Sequence, residues 1–195
     1  MRFRSKEGRV DHSRIGDELF SVIGDFFRAR EGTLRSVIRV AVDRLRAGGK
    51  ILVFGNGGSA SQAQHFAAEL VNKFLKTRPA LRAVALTTDT SALTSIANDM
   101  DYEHVFSRQV EALGDDGDVA LGISTSGNSP SVLRALEMSR SMNLITVGMT
   151  GAGGGKAGPL SDYLLDVPSR STPRIQEVHL LLLHMIAQEL EDELS

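Results

Sequence analysis

The sequence predicts an α/β protein, a three-layer αβα sandwich with a five-stranded parallel sheet at its centre. Five short apolar runs alternate with segments of helical periodicity, and strands that alternate with helices form doubly wound parallel sheets. The first run, 51–54, is apolar throughout, as expected of a parallel strand buried on both faces. A glycine-rich loop and a polar helix follow this run, so we expect the sheet domain to be organised around it.

The amino-terminal part of the chain predicts helices. Apolar residues recur at helical spacing over 15–47. Gly32 and Thr33 interrupt the pattern, so we expect a helical hairpin whose second helix is capped by Thr33. We assign 1–48 to this extension and 49–195 to the sheet domain, the two forming one structural unit. The apolar stripe of the hairpin needs a partner, and the sequence leaves two open: another subunit or the chain's own sheet.

The remaining elements follow in order along the chain. The last strand is expected at an edge of the sheet because it is short and is followed by Pro168. Residues 1–11 are polar and are expected to be frayed. We predict strands at 50–55, 81–86, 119–123, 144–148 and 163–167, and helices at 60–75, 90–98, 102–113, from Pro130 onward, and from about 173 to 194.

Composition excludes several classes of function. The net charge of −2 over 195 residues gives no polyelectrolyte reason to bind nucleic acid or a membrane surface. The chain has no cysteine, which excludes disulfides, thiolate zinc sites and cysteine nucleophiles. No apolar run approaches the ~20 residues that span a bilayer, and the charged amino terminus does not resemble a signal peptide. We therefore predict a cytoplasmic protein.

The loop after the first strand, Gly55–Ser59, predicts an anion site. Its glycines let a ligand approach the main chain, and Ser59 is a suitable N-cap for a helix that starts near Ala60. A helix N-terminus offers unpaired N–H groups and partial positive charge, which suit a phosphate. The alternative is a dinucleotide site, which wants an acidic residue at the end of the second strand. Asp89 comes later than that motif expects, so we rank the dinucleotide hypothesis well behind the anion-site hypothesis.

A second polar loop, Ser124–Ser129, follows the third strand. It offers hydroxyl and amide groups without fixed charge, a set that suits phosphate oxygens and sugar hydroxyls. Ligands of doubly wound sheets bind at the carboxyl ends of the strands, where both polar loops fall. The alternative is a loop that only caps its own helix.

Candidate acid, base and metal-binding groups lie on two predicted helices. His65 and Glu69 are four residues apart and share a helix face, although such pairs are also common on solvated faces. The last helix carries Gln176 and His184, which stand ~12 Å apart along a straight helix. To reach one metal, they need either a distorted first turn or different subunits. The same helix carries His179 as well as His184, and isolated histidines on apolar helices are more often core residues than ligands.

Five segments together carry a family resemblance: Gly55–Ser59, His65–Glu69, Ala97–Asp99, Ser124–Ser129 and Arg174–His184. In these the chain resembles the phosphoheptose isomerases, which are built on the flavodoxin-like sugar isomerase (SIS) domain. The resemblance implies interconversion of sedoheptulose 7-phosphate and D-glycero-D-manno-heptose 7-phosphate through an enediol. This is the first step toward the ADP- or GDP-linked heptose of bacterial lipopolysaccharide and related glycans. It also implies a homotetramer with active sites between subunits, and one zinc ion per subunit.

The resemblance also assigns residue roles. Glu69 would be the catalytic base and His184 the acid, although a base cannot easily be a tight metal ligand at the same moment. The implied zinc ligands are His65, Glu69, Gln176 and His184. The implied phosphate and sugar contacts are Asn56, Gly57, Gly58, Ser59, Asn98, Asp99, Ser124, Thr125, Ser126, Ser129 and Gln176.

Two other functions share the fold. A non-catalytic relative associates with the DnaA replication initiator, and that branch departs from the isomerase pattern at the Gly-Gly of the first loop, the glutamate and the last histidine. This chain keeps Gly57, Gly58, Glu69 and His184, which argues against that reading. A sugar-phosphate-sensing regulator would normally bring a DNA-binding domain, for which the chain has no room.

Overall fold

The computed structural model of the chain describes residues 10–195. Its five strands are all parallel and lie in the order β2-β1-β3-β4-β5, which confirms the predicted fold class and the edge position of the last strand. The strands are β1 Ile51–Gly55, β2 Ala83–Ala85, β3 Val119–Ser124, β4 Ile145–Thr150 and β5 Tyr163–Asp166. The helices are α1 His12–Arg46, α2 Gly58–Val71, α3 Thr90–Asp99, α4 Ser107–Leu113, α5 Pro130–Ser141 and α6 Thr172–Leu194, with 3-10 turns at Tyr102–His104 and Gly155–Leu160.

Strand β1 divides the core into two layers. Ile51 and Val53 join the cluster that contains α1, α2 and α6, whereas Leu52 and Phe54 join the cluster that contains α4 and α5. All four side chains are at most 2% exposed. The uninterrupted apolar run is therefore explained by burial on both faces, as predicted.

The predicted amino-terminal hairpin is wrong, because α1 is a single helix of 35 residues. Gly32 and Thr33 lie inside it. A glycine costs a helix about 1 kcal/mol relative to alanine, but the apolar stripe continues across it: Phe26 before the glycine and Val37 after it are both buried in the same core. Burial on both sides outweighs the local penalty. The stripe packs on the chain's own sheet layer, one of the two partners left open.

The start of α2 also differs from the prediction. Gly57, not Ser59, is the N-cap, and no side chain caps the helix. Gly57 has φ 56°, a left-handed value that favours glycine. The turn therefore closes two residues earlier than predicted, and Ser59 becomes a buried residue of the first turn, 3% exposed.

Other boundaries also differ from the predicted ones. The helix predicted over 102–113 is divided into the 3-10 turn and α4, and β2 is shorter than predicted. The expected fraying of 1–11 lies, up to residue 9, outside the described residues. Of the helices in residues 10–195, none combines the length and apolar character that a membrane crossing requires.

The sheet order positions the site. β1 and β3 are neighbours, with Gly55 in register with Ile123, so the loops after both strands meet at one edge. The chain leaves β1 toward β2 on one side and returns to β3 on the other. Such a switch in strand order opens a crevice between the two loops.

Candidate active site

A cavity of about 160 Å³ lies in this crevice. It brings together seven of the residues predicted to bind phosphate or sugar, and its lining carries no charged side chain. The hydroxyl and amide groups come from both loops and from the first turns of α2 and α6. We call it the anion cradle; its lining residues are Asn56, Ser59, Ile123, Ser124, Thr125, Ser126, Ser129 and Gln176.

Gln176 reaches the cradle within its own chain. A Cβ atom placed on Gly58 would lie 2.5 Å from the Gln176 Nε2, so the amide packs directly on this glycine. The Gln62 side chain donates a hydrogen bond to the Gln176 carbonyl at 2.6 Å. The contact ties the first turns of α6 to α2 and explains why position 58 is a glycine.

Asn56 cross-links three parts of the cradle. Its Nδ2 donates to the Ser129 Oγ at 2.7 Å and to the Ser131 Oγ at 2.9 Å. The Tyr102 hydroxyl donates to its Oδ1 at 2.9 Å. Sequence reasoning missed Tyr102 and Ser131, because no local pattern links a tyrosine after α3 to the loop after β1.

Two predicted sugar contacts lie elsewhere. Asn98 and Asp99 end α3, are exposed, and hydrogen-bond to each other at 2.7 Å. Neither is among the residues that line the cradle. Their role stays a prediction.

A histidine pair joins α2 to α6. The Nε2 atoms of His65 and His184 are 2.7 Å apart, and the Glu69 Oε1 is 3.5 Å from the His65 Nε2. The Phe74 ring packs against His184 with centroids 5.5 Å apart. A contact of 2.7 Å between two ring nitrogens is a hydrogen bond in which one ring donates and the other accepts. The predicted base, the predicted acid and His65 are thus brought together.

His65, His184 and Glu69 are also three of the predicted zinc ligands. Two imidazoles and one carboxylate form a donor set that zinc accepts in catalytic sites, so the chemistry fits. Nitrogens that share a tetrahedral zinc at ~2.0–2.1 Å stand about 3.4 Å apart, so the two rings would have to separate. Within residues 10–195, no three His, Asp or Glu side chains are already arranged around a metal position.

His179 is separate from this cluster. It is completely buried, and its Nε2 donates to the Thr150 carbonyl at 3.1 Å. Burial lowers the pKa of His179 to about 4, against a smaller opposing effect of that hydrogen bond. The ring is a neutral core residue, as expected for an isolated histidine on an apolar helix.

Comparison with known proteins identifies the family to which the fold belongs. The family model described as the SIS domain matches residues 17–151, a span that includes β1, the cradle loops and the β1–β3 crevice. The chain belongs to the SIS-domain family.

The relatives narrow the family. A phosphoheptose isomerase of Desulfovibrio desulfuricans is 56% identical over 178 residues, covering 91% of this chain and 83% of that protein. Another, of Paramagnetospirillum magneticum, is 57% identical over 155 residues, covering 80% of this chain and 81% of that protein. The solved structure of the phosphoheptose isomerase from Neisseria gonorrhoeae superposes with a TM-score of 0.87 at 42% identity, covering 92% of this chain and 96% of that one. Within the SIS-domain family, the chain groups with the phosphoheptose isomerases.

Proposed function

We propose that this protein is an aldose–ketose isomerase that interconverts sedoheptulose 7-phosphate and D-glycero-D-manno-heptose 7-phosphate. The observation that carries the proposal is the placement of Glu69 and the His65–His184 pair on α2 and α6, the same two helices whose first turns form the cradle. The names and high identity of the relatives support the same reaction. The alternative, a non-catalytic binding protein, is not favoured.

The cradle binds the phosphate and orients the sugar. Hydroxyl groups, amides and the N–H groups of the first turn of α2 donate to the phosphate oxygens. The sugar then extends toward Glu69, which removes the proton from the carbon beside the carbonyl. The same carboxyl returns that proton to the neighbouring carbon, so no proton is gained or lost overall.

His184 supplies the acid. Its ring donates a proton to the carbonyl oxygen as the enediol forms, and it then takes the proton of the other enediol hydroxyl as the second carbonyl forms, so the ring ends in its starting protonation state. The Nε2 of His184 is hydrogen-bonded to the Nε2 of His65 at 2.7 Å. When the substrate binds, this hydrogen bond is replaced by one between His184 and the sugar oxygen. A zinc ion held by His65, Glu69 and His184, with Gln176 as the proposed fourth ligand, would polarise the carbonyl.

The assembly is part of the proposal. We infer a cytoplasmic homotetramer whose active sites lie between subunits and which feeds a heptose pathway. Phe20 is 75% exposed and Leu75 66% exposed, and Leu75 immediately follows Phe74, which packs on His184. Burying these two side chains between subunits would remove their apolar surface from water. Light scattering should give four times the chain mass of 21.0 kDa; the mass of a single chain would contradict the assembly.

The decisive experiment is turnover of sedoheptulose 7-phosphate by wild type, Glu69→Gln and His184→Ala, each with and without a chelator. General acid–base groups contribute about 10²–10⁴-fold, so we expect both variants to lose at least about a hundredfold in kcat. Glu111→Gln, an exposed carboxylate paired with Arg108, is the matched control. Loss of activity with chelator and recovery with zinc would support the metal. A folded wild type with no turnover would overturn the assignment.

A further inference from the structure

A buried ion pair, Arg78–Glu191, links the end of α2 to α6, the two helices that carry Glu69, His65 and His184, and it has no role in the chemistry described above. Glu191 is near the end of α6, and Arg78 lies in the segment between α2 and β2. Their side chains are 1% and 0% exposed, and the Arg78 Nε is 3.5 Å from the Glu191 Oε1. Buried charges of this kind need several partners to be tolerated, so the contacts of each show what the pair holds in place.

Arg78 holds the end of α2. Its Nη1 donates to the Leu70 carbonyl and its Nη2 to the Glu69 carbonyl, both at 2.8 Å. Carbonyls in the last turn of a helix lack intrahelical partners, and α2 has no basic residue of its own there. The guanidinium therefore completes the helix at the backbone of the proposed base.

Glu191 holds the segment that follows α2. Its carboxylate accepts hydrogen bonds from the backbone N–H groups of Phe74 at 2.9 Å, Leu75 at 2.7 Å and Lys76 at 2.8 Å. Burial raises the pKa of Glu191, but these three donors and Arg78 outweigh it, and the pKa lies below its usual value. The fixed segment includes Phe74, whose ring packs on His184.

The two helices are thus joined twice. Glu191 and His184 are seven residues apart on α6, about two turns, so they lie on the same side of the helix. His184 meets α2 through His65, and Glu191 meets the end of α2 through Arg78. We infer that the Arg78–Glu191 pair is a positioning device that sets the spacing of Glu69 and His184. The inference rests on the roles proposed for those two residues.

The test compares Glu191→Gln with Asp192→Asn. Asp192 is the next residue on the same helix and also contacts the 72–82 segment, through Lys76, but it is exposed. We expect Glu191→Gln to lower kcat at least about tenfold with KM within about twofold, because small displacements of catalytic groups are costly. Asp192→Asn should leave both constants within about twofold of wild type. Assays are run well below the Tm of each variant and are normalised to folded protein.

A second variant separates positioning from folding. Arg78→Lys keeps the charge but loses the fork that reaches both carbonyls, so it should lower kcat while the protein stays folded. Equal kcat for Glu191→Gln, Arg78→Lys and Asp192→Asn would overturn the inference. A readout without turnover is the ¹⁵N NMR signal of the His65 and His184 rings: it should change in Glu191→Gln and not in Asp192→Asn. If wild type is inactive and the ring signals still respond, the proposed reaction fails while the positioning of the pair stands.

Discussion

His179 shows how one residue couples the core to pH. Its ring is 0% exposed, its Nε2 donates to the Thr150 carbonyl, and its Nδ1 has no hydrogen-bond partner among the described residues. A charged ring at this position would lack solvation on one nitrogen. The folded protein therefore holds His179 neutral, and protonation favours the unfolded chain.

We predict that this residue makes the stability depend on acid. The folded pKa of about 4 lies below the ordinary value of 6.5. Between those two pH values the unfolded state binds more protons than the folded state, so the free energy of unfolding rises with pH. The stability that the neutral ring contributes is fully present above pH 6.5 and is lost as the pH falls toward 4. Between pH 7 and pH 4, the free energy of unfolding should fall by about 3 kcal/mol less in His179→Gln than in wild type. Urea unfolding at the two pH values measures this, and identical losses in both proteins would contradict it.

Gly58 predicts a loss of activity without a loss of fold. An alanine there would place its Cβ 2.5 Å from the flexible end of Gln176, so Gln176 must leave the cradle while the backbone stays in place. We expect Gly58→Ala to lower kcat/KM about tenfold or more with a nearly unchanged Tm. Gly16→Ala, where a Cβ meets nothing within 4 Å, is the control. Equal kcat/KM for the two variants would show that Gln176 is not needed.

Some residues of the site could be predicted from the sequence and others could not. Ser124 and Ser129 could be predicted because small polar residues after a buried strand have few structural reasons to cluster. Tyr102 and Glu191 could not, because their partners lie 46 and 115–117 residues away and each looks like an ordinary surface residue in its local sequence. Long-range pairing of this kind leaves no periodic signal.

At the scale of elements, α1 shows how packing overrides local signals. The helix has 35 residues and is about 52 Å long. Gly32 and Thr33 predict a break by local propensity, yet the apolar stripe on either side of them is buried in one core. The β1 prediction succeeded for the same reason: in both elements the apolar pattern, rather than single residues, decided the structure.

We predict that filling Gly32 stabilises the protein. Its Cβ position is open, and alanine removes the backbone entropy that glycine adds to the unfolded chain. Gly32→Ala should raise the free energy of unfolding by about 0.5–1 kcal/mol. Gly127→Ala is the opposite case, since Gly127 has φ 65° and an added Cβ would lie 2.2 Å from the Gly154 carbonyl oxygen. Thermal unfolding should move the two variants in opposite directions; a lower Tm for Gly32→Ala would refute the interpretation.

At the scale of the whole molecule, the site is a consequence of topology. Parallel strands place their carboxyl ends at one edge, and the neighbouring positions of β1 and β3 bring two polar loops face to face. The alternation of strands with helices predicts that edge, because successive parallel strands are joined by crossover connections and so end at the same side of the sheet. It did not predict that His65 on α2 would meet His184 on α6, which depends on how the helices pack against the sheet.

The uncharged lining of the cradle determines how substrate binding responds to salt. Ions in solution screen exposed charges over about 10 Å at 0.1 M salt, and a phosphate held by arginines would weaken as ionic strength rises. Hydroxyl and backbone donors make no such ion pairs, and a net charge of −2 attracts no anion from a distance. We expect KM to change less than about twofold between roughly 0.05 and 0.5 M salt, measured with the viscosity held constant. A rise in the salt concentration around the protein would then leave its saturation with substrate almost unchanged.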